Sequence, residues 1–260
     1  MSDAITLSHH GPASVVTLTL PPFNLLDIQT MDELVAVHQL ADAHPATRVI
    51  VTRSGLEGMF CNGLNPLTVL EADDAGRRSV FEGVARLVKG LYSLKKPHIA
   101  VLNGPAMAGG AVLAILADFR YMDSERGAIC FAEAKVGVPV PPGLVAVIAG
   151  VCQPGALRET VMLGKKYDPQ PALEVGLVDG LAPAAELDAL VDKQVARLSR
   201  LSLDVLVACK SSLRATTIEK ANDPFASNGN SKHFMEFVGD EYLGEGLRAF
   251  MEGRQPVFVK

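Results

Sequence analysis

Residues 100–122 have the sequence AVLNGPAMAGGAVLAILADFRYM, and this stretch decides how the rest of the chain is interpreted. A short β-type run from Pro97 to Leu102 enters a turn of small residues containing Gly109 and Gly110, and an apolar segment from Ala111 to Ala117 follows with helical spacing. The first N–H groups of a helix lack an intrahelical acceptor, and glycine lets a ligand approach them, so this order predicts an anion or oxyanion site. The alternative is that the glycines only allow close packing at a strand–helix junction.

The composition indicates a chain with enough apolar residues for a large core. It has 260 residues, of which 48% are hydrophobic, and a formal net charge of -5, which does not favour binding to nucleic acid or to an anionic membrane surface. The four cysteines and six histidines show no metal-ligand spacing, so we expect reduced thiols and no metal. The chain start lacks the pattern of a signal peptide, and no apolar run reaches about 18 residues. These features predict a soluble, cytoplasmic protein.

Alternation of strand and helix patterns predicts an α/β fold class up to about residue 195. The predicted elements are a hairpin from residues 4–9 and 13–20, a helix from Ile28 capped by Asp27, a strand at 48–53, a helix at 74–91, the strand and helix of the opening stretch, and a strand at 128–131. Beyond Gly155 the spacing becomes helical, with predicted helices at 155–163, 169–175, 185–202, 204–220 and 234–253 and a loop at 222–233. This helical C-terminal region must pack on the core or on a neighbouring subunit.

Six sequence segments, taken in order, resemble the crotonase (enoyl-CoA hydratase/isomerase) superfamily. They are FCNGLN at 60–65, KPHIAVLNG at 96–104 with AGG at 108–110, ADFR at 117–120, FAEAKVG at 131–137, LG at 163–164 and ALEVGLVD at 172–179. The resemblance extends from about residue 5 to residue 255. It implies a crotonase-like spiral of ββα units at 1–195, a helical trimerisation region at 196–260, and assembly into a homotrimer or a dimer of trimers. It also implies an acyl-CoA substrate of fatty acid metabolism, with coenzyme A as part of the substrate and no permanently bound cofactor.

The resemblance also implies where the thioester would be held. It places an oxyanion hole on the backbone N–H groups of Leu64 and Gly109, and removing one such donor costs about 2.7–4 kcal/mol of transition-state stabilisation. Contacts with the substrate or with CoA are implied at Leu25, Leu26, Cys61, Asn62, Gly63, Gly110 and Phe250. Members of the family commonly carry alanine and aspartate at the positions of Asn62 and Asn65, and a lysine at the position of Gly253, which Arg254 follows here.

The candidate acid-base group distinguishes the reactions of the family. Its hydratases have one glutamate shortly after the Gly-Gly pair and a second in an F-x-x-E-x-x-x-G segment, and here these positions are Val112 and Glu133. Valine cannot activate water or move a proton, so hydration by two glutamates is disfavoured. One carboxylate suffices to take a proton from carbon 2 and return it at carbon 4. The pattern is therefore most similar to the Δ3,Δ2-enoyl-CoA isomerases, with Glu133 as the catalytic base.

Two other functions fit parts of the same pattern. Asn62 and the proline-rich wall at 139–142 also allow a crotonase-fold hydrolase of a β-diketone or thioester, in which His98 would be the first candidate to activate water. The missing first glutamate and the missing C-terminal lysine allow a non-catalytic acyl-CoA-binding protein.

Four other ionisable residues have predicted structural or surface positions. We expect His98 to be a hydrogen-bonded histidine in a core strand, Asp118 and Arg120 to form a structural pair, and Lys135 to be a surface lysine.

Overall fold

A six-stranded sheet forms the centre of the computed structural model, which describes residues 4–225, 234–239 and 241–258. The strands are β1 (Ile5–His10), β2 (Ala13–Leu18), β3 (Leu25–Leu26), β4 (Val49–Ser54), β5 (Gly63–Leu64), β6 (His98–Leu102), β7 (Pro105–Met107), β8 (Phe119–Asp123), β9 (Ala128–Cys130) and β10 (Gly180–Ala182). The helices are α1 (Ile28–Ala43), α2 (Pro66–Glu71), α3 (Asp74–Tyr92), α4 (Gly109–Ile115), α5 (Pro142–Ala149), α6 (Pro154–Met162), α7 (Pro169–Glu174), α8 (Ala184–Ser199), α9 (Leu203–Arg214), α10 (Ile218–Asn222), α11 (Phe234–Val238) and α12 (Glu241–Met251). A 3-10 turn covers Glu133–Val136.

The large sheet has the strand order β1-β2-β4-β6-β8-β10. Strands β1 and β2 pair antiparallel, as the predicted hairpin requires, and every later pair is parallel. Strand β6 is buried at all five positions, which explains its continuous apolar run, because both of its faces are covered. One face packs against α8 through a cluster that contains Val49, Val51, Ile99, Val101, Leu187, Val191 and Val195. The opposite face belongs to the main core.

Short strands form a second layer, in which β5 and β7 each come directly after a strand of the large sheet in the chain. Strand β3 pairs with β5 and β7 pairs with β9, both in parallel, and a bridge between Cys61 and Ala106 links the two pairs. The order β4-β5-α2-α3 and β6-β7-α4 repeats a ββα unit, so the predicted fold class is confirmed. Gly110 packs tightly within this layer, because a Cβ there would lie 2.0 Å from the carbonyl oxygen of Cys61.

The C-terminal half differs from the predicted helices at three places. The single helix predicted at 204–220 is two helices, α9 and α10, separated by a turn at 215–217. The helix predicted at 234–253 is divided into α11 and α12, and Asp240 between them lies outside the described residues, as do residues 226–233 of the predicted loop. Helix α5 follows a proline-rich segment where we predicted no helix. Proline is well tolerated at the first helical position, which Pro142 occupies.

The C-terminal helices pack on their own chain. Helix α10 contacts α3 and α5, α11 contacts α3, and α12 contacts α2 and the 3-10 turn. The predicted boundary at residue 195 falls inside α8, and the division into two regions and the trimerisation role of 196–260 stay predictions. In the described ranges, no helix combines the length and the apolar character needed to cross a membrane.

Asp118 anchors α9 to the sheet. Its carboxylate lies 2.7 Å from Lys210 Nζ and 2.6 Å from Arg214 Nη2, and it accepts a 2.8 Å hydrogen bond from the backbone N–H of His98. The predicted Asp118–Arg120 pair is wrong, because Arg120 instead pairs with Asp179 at 3.0 Å. Asp118 ends the turn after α4 and faces α9, whereas the Arg120 side chain is buried between that turn and the backbone of Leu177.

Two buried histidines share one hydroxyl in the sheet core. His38 Nε2 lies 2.6 Å from Thr52 Oγ1, and His98 Nε2 lies 2.7 Å from the same oxygen. His38 Nδ1 is 2.7 Å from the carbonyl oxygen of Leu34. Burial lowers the pKa of His38 to about 4 and also lowers that of His98, so both rings are neutral. The expectation of a structural His98 is confirmed.

We predict that Asp118→Ala lowers the free energy of unfolding by about 3–5 kcal/mol, because it leaves two buried cations without their carboxylate. Urea unfolding followed by circular dichroism measures this change. The matched control is Asp32→Ala, since Asp32 pairs with Arg86 at 2.8 Å but both side chains are about half exposed, at 48% and 49%. That pair should contribute at most about 1 kcal/mol. Equal losses for the two variants would contradict the anchoring role of Asp118.

Candidate active site

An apolar cavity of about 300 Å³ lies where the second layer meets α3, α5 and α12. Two of the residues that line it, Asn62 and Glu133, have polar side chains, and the other described residues of the lining have apolar side chains or are glycine. The lining consists of Phe23, Leu25, Asn62, Leu64, Pro66, Val69, Phe81, Val84, Met107, Ala108, Gly109, Val112, Ala132, Glu133, Val136, Val138, Pro141, Leu144, Phe225, Leu243, Leu247 and Phe250. Such a surface suits a hydrocarbon chain with one reacting polar group.

The backbones of Leu64 and Gly109 meet at this cavity. The N–H of Asn65 donates to the carbonyl oxygen of Leu26 at 2.9 Å, and since alternate N–H groups of a strand point to opposite sides, the N–H of Leu64 points away from β3. Gly109 opens α4, so its N–H has no acceptor within the helix. A Cβ on Gly109 would lie 3.4 Å from Leu64 N, so the two segments are in close contact.

Ala108 holds the turn that starts α4 in an uncommon conformation. Its φ is 46° and its ψ is -116°, which an L-residue adopts only at a cost in free energy. Two hydrogen bonds fix this turn, from Ala108 N to the Cys130 oxygen at 2.8 Å and from Met107 N to the Cys61 oxygen at 2.9 Å. The direction of the Gly109 N–H is therefore set by the second-layer strands on both sides of it.

Glu133 begins the 3-10 turn that follows β9. Its Oε2 is buried and accepts no hydrogen bond from the described residues. Burial raises the pKa of this carboxyl to about 7, and a hydrogen bond from its own backbone N–H offsets part of that rise. A carboxyl with a pKa near neutrality can both take up and release a proton at physiological pH, as a general acid-base group must.

Val112 lies on the first turn of α4 and lines the same cavity, with 2% of its surface exposed. The position where the hydratases have their first glutamate is therefore apolar. Among the described lining residues, Glu133 is the one with an ionisable side chain.

The structure brings six of the predicted site residues together and leaves four in its interior. Leu25, Asn62, Leu64, Gly109, Glu133 and Phe250 line the cavity, with Phe250 58% exposed. Leu26, Cys61, Gly63 and Gly110 do not line it. The side chains of Leu26 and Cys61 are buried, and a Cβ at Gly63 would lie 2.8 Å from Gly109 N. The contacts predicted at these four positions would therefore have to come from backbone atoms, and all the CoA contacts stay predictions.

Several lining residues were not predicted. Helix α12 contributes Leu243 and Leu247, which together with the predicted Phe250 are spaced by four and three residues and form an apolar helical stripe that the sequence displays. Phe81 and Val84 of α3 and Leu144 of α5 complete much of the wall. No residue type or motif marks these positions as part of a site.

Three ionisable residues near the motifs lie elsewhere. His98 is fully buried in β6 and does not line the cavity, so the expectation that it could activate water there is wrong. Lys135 is exposed, as predicted. Arg254 pairs with Glu245 at 2.6 Å and with Glu252 at 2.5 Å.

Comparison with known proteins supports the resemblance. The sequence profile described as enoyl-CoA hydratase/isomerase matches residues 11–260. A carnitinyl-CoA dehydratase of Salmonella enteritidis PT4 is 30% identical over 262 residues, and that of Citrobacter koseri is 28% identical over 260 residues. Each alignment covers 99% of both proteins.

Solved structures show the same fold. The human mitochondrial delta3-delta2-enoyl-CoA isomerase has a TM-score of 0.87 at 20% identity, covering 96% of this chain and 98% of that one. An enoyl-CoA hydratase from Mycobacterium avium subsp. paratuberculosis K-10 has a TM-score of 0.84 at 22% identity, covering 99% of both chains. With a profile match over nearly the whole sequence, the chain belongs to the enoyl-CoA hydratase/isomerase family.

Proposed function

We propose that this protein isomerises 3-enoyl-CoA to 2-enoyl-CoA. The observation that carries the proposal is the single ionisable side chain, Glu133, among the described residues of a largely apolar cavity. Membership of the family supports an acyl-CoA substrate, with coenzyme A as part of that substrate and no other cofactor.

In the proposed reaction, the thioester carbonyl accepts hydrogen bonds from the N–H groups of Leu64 and Gly109. The Glu133 carboxylate removes a proton from carbon 2, and the electron pair moves into a dienolate whose negative charge lies on the thioester oxygen. The two N–H donors stabilise that charge most when it is fully developed. Glu133 then returns the proton at carbon 4, which moves the double bond from carbons 3 and 4 to carbons 2 and 3. No water is consumed or released.

Hydration and dehydration would require more catalytic groups in this cavity than isomerisation does. Adding or removing water requires one group to act on the proton at carbon 2 and another to act on the oxygen at carbon 3, unless a single group serves both. Val112 cannot act on either. The relatives named carnitinyl-CoA dehydratases therefore share the family with this chain, but we do not assign their reaction to it. The apolar lining also favours an uncharged acyl chain over one with a fixed cation, because such a charge would lose its hydration here.

The two other functions have less support. A hydrolase needs an activated water, and the buried position of His98 removes the candidate for that step. A binding protein without activity would have no use for a carboxyl with a pKa near neutrality. Detecting turnover of any enoyl-CoA would separate the enzyme from the binding protein.

Assembly into a homotrimer or a dimer of trimers belongs to the same proposal. Apolar side chains on and beside α9, namely Leu201, Val205 and Leu213, are 51%, 59% and 83% exposed in the single chain. Light scattering coupled to size-exclusion chromatography tests the assembly, and a monomer would contradict it.

We predict that Glu133→Gln lowers kcat by about 10²–10⁴-fold, because glutamine cannot carry the proton between the two carbons. The assay follows the absorbance of the conjugated thioester formed from a 3-enoyl-CoA. Glu125→Gln, at an exposed position, is the control and should keep full activity. If Glu133→Gln is as active as the unmodified protein, the mechanism is wrong.

The pH dependence should follow the Glu133 carboxyl. The reaction begins with the carboxylate, so kcat/KM is expected to fall as the pH drops through about 7, with a tenfold loss per pH unit below it. An exposed glutamate would retain its activity down to about pH 4.3. A profile that is flat between these two values would show that another group, or an unperturbed one, limits the reaction.

We predict that Val112→Glu introduces hydration of 2-enoyl-CoA, because it adds a second carboxylate to the cavity where the hydratases have one. Chromatography of the products would detect the 3-hydroxyacyl-CoA. Val112→Gln is the control, since it has nearly the same size and polarity but cannot take up a proton. Hydration by both variants, or by neither when both are folded, would contradict the importance assigned to this position.

A further inference from the structure

Helix α12 rests directly on the backbone of the 3-10 turn that carries Glu133. A Cβ at Gly246 would lie 2.4 Å from the carbonyl carbon of Val136 and 2.5 Å from its Cα and oxygen. Tyr242 lies one helical turn before Gly246 on α12, and a Cβ at Gly137 would lie 2.5 Å from the carbonyl oxygen of Tyr242. The two backbones therefore meet at Val136, the last residue of the turn, and at Gly137, which follows it, and no side chain separates them at these points.

The same helix covers the cavity. Leu243, Leu247 and Phe250 of α12 line it together with Glu133, so the distance between α12 and the turn affects how far these side chains lie from Glu133. A Cβ at position 246 would have to move α12 by about 1 Å to reach an ordinary van der Waals distance, since the atoms it meets are backbone atoms that cannot rotate away.

Charged groups around the turn do not account for the state of the Glu133 carboxyl. Helix α12 carries Glu241, Glu245 and Arg248, and the turn itself carries the exposed Lys135. The thiol of Cys130 on β9 is also near, and burial raises its pKa. The rise in the pKa of Glu133 comes from burial, so it depends on the exclusion of water rather than on a partner.

We propose that Gly246 is a positioning residue for the isomerisation: by letting α12 close on the turn at backbone contact distance, it keeps water away from the Glu133 carboxyl. This inference rests on the proposed function, because it assigns a use to the buried carboxyl. Gly246 does not act on the substrate itself. It acts through the position of α12.

The test compares Gly246→Ala with Gly244→Ala. Both glycines are buried on α12, and both substitutions raise helix propensity equally. They differ in what the added methyl group meets, because at Gly244 the nearest atoms are the guanidinium group of Arg248 at 3.4–3.7 Å, the end of a flexible side chain. Gly246→Ala should lower the pH at which kcat/KM is half-maximal by about one unit, since a hydrated carboxyl ionises more easily. Its kcat should fall about tenfold because a weaker base transfers the proton more slowly. Gly244→Ala should change neither.

A second measurement does not depend on turnover. Infrared spectra are recorded across a pH titration for each protein and for the same protein with Glu133→Gln added. The difference between the two spectra isolates the carboxyl stretch of Glu133. The pKa of this carboxyl should fall by about one unit in Gly246→Ala and stay unchanged in Gly244→Ala. Leu247→Ala, which opens the cover without touching the contact at Gly246, should lower it as well and provides the test if Gly246→Ala does not fold.

The outcomes separate the two proposals. A fall in the carboxyl pKa without any isomerase activity in the unmodified protein would support the positioning role and contradict the proposed reaction. Isomerase activity together with an unchanged carboxyl pKa in folded Gly246→Ala, or in Leu247→Ala where Gly246→Ala does not fold, would overturn the positioning role.

Discussion

The burial of one carboxyl group in an apolar cavity is the constraint on which the site depends. Moving the pKa of Glu133 from 4.5 to about 7 means that the ionised form is disfavoured by about 3 kcal/mol relative to water. A group kept in this condition depends on surrounding elements that limit its contact with water. The turn that carries it, the strand before it and the helix over it are accordingly joined by backbone contacts rather than by flexible side chains.

The buried ion pairs around Asp118 and Arg120 are arranged in the opposite way. Asp118 has two cations and a backbone N–H, and Arg120 has Asp179 and two carbonyl oxygens, so each buried charge is compensated by neighbours in fixed positions. These ion pairs lie outside the cavity lining. The molecule thus separates the polar contacts that hold its layers together from the apolar enclosure that makes one carboxyl reactive.

The sequence predicted the features that depend on local chemistry. The hairpin, the cap of α1 by Asp27, the strands of the sheet core and the glycine turn all follow from patterns within a few residues, and the motifs brought Leu64, Gly109 and Glu133 to the same family site. It did not predict that Asp118 and Arg120 bind different partners, because Asp179 is 59 residues from Arg120 and Arg214 is 96 residues from Asp118 in the chain. The position of α12 over the cavity was missed for the same reason, because an apolar stripe predicts that a helix face is buried but not which part of the chain it packs against. The division between α9 and α10 depends on where α10 meets α3 and α5, which no propensity encodes.

The chain of hydrogen bonds through Thr52 has a fixed direction. His38 can approach the carbonyl oxygen of Leu34 only with a proton on Nδ1, so its Nε2 is an acceptor and the Thr52 hydroxyl must donate to it. The Thr52 oxygen then accepts from His98, whose proton is on Nε2 and whose buried Nδ1 meets no donor among the described residues. One carbonyl group thereby selects the tautomer of both rings and the rotamer of the hydroxyl between them. The centre of the sheet is a row of aligned dipoles without net charge, and reversing any one of them would require reversing all three.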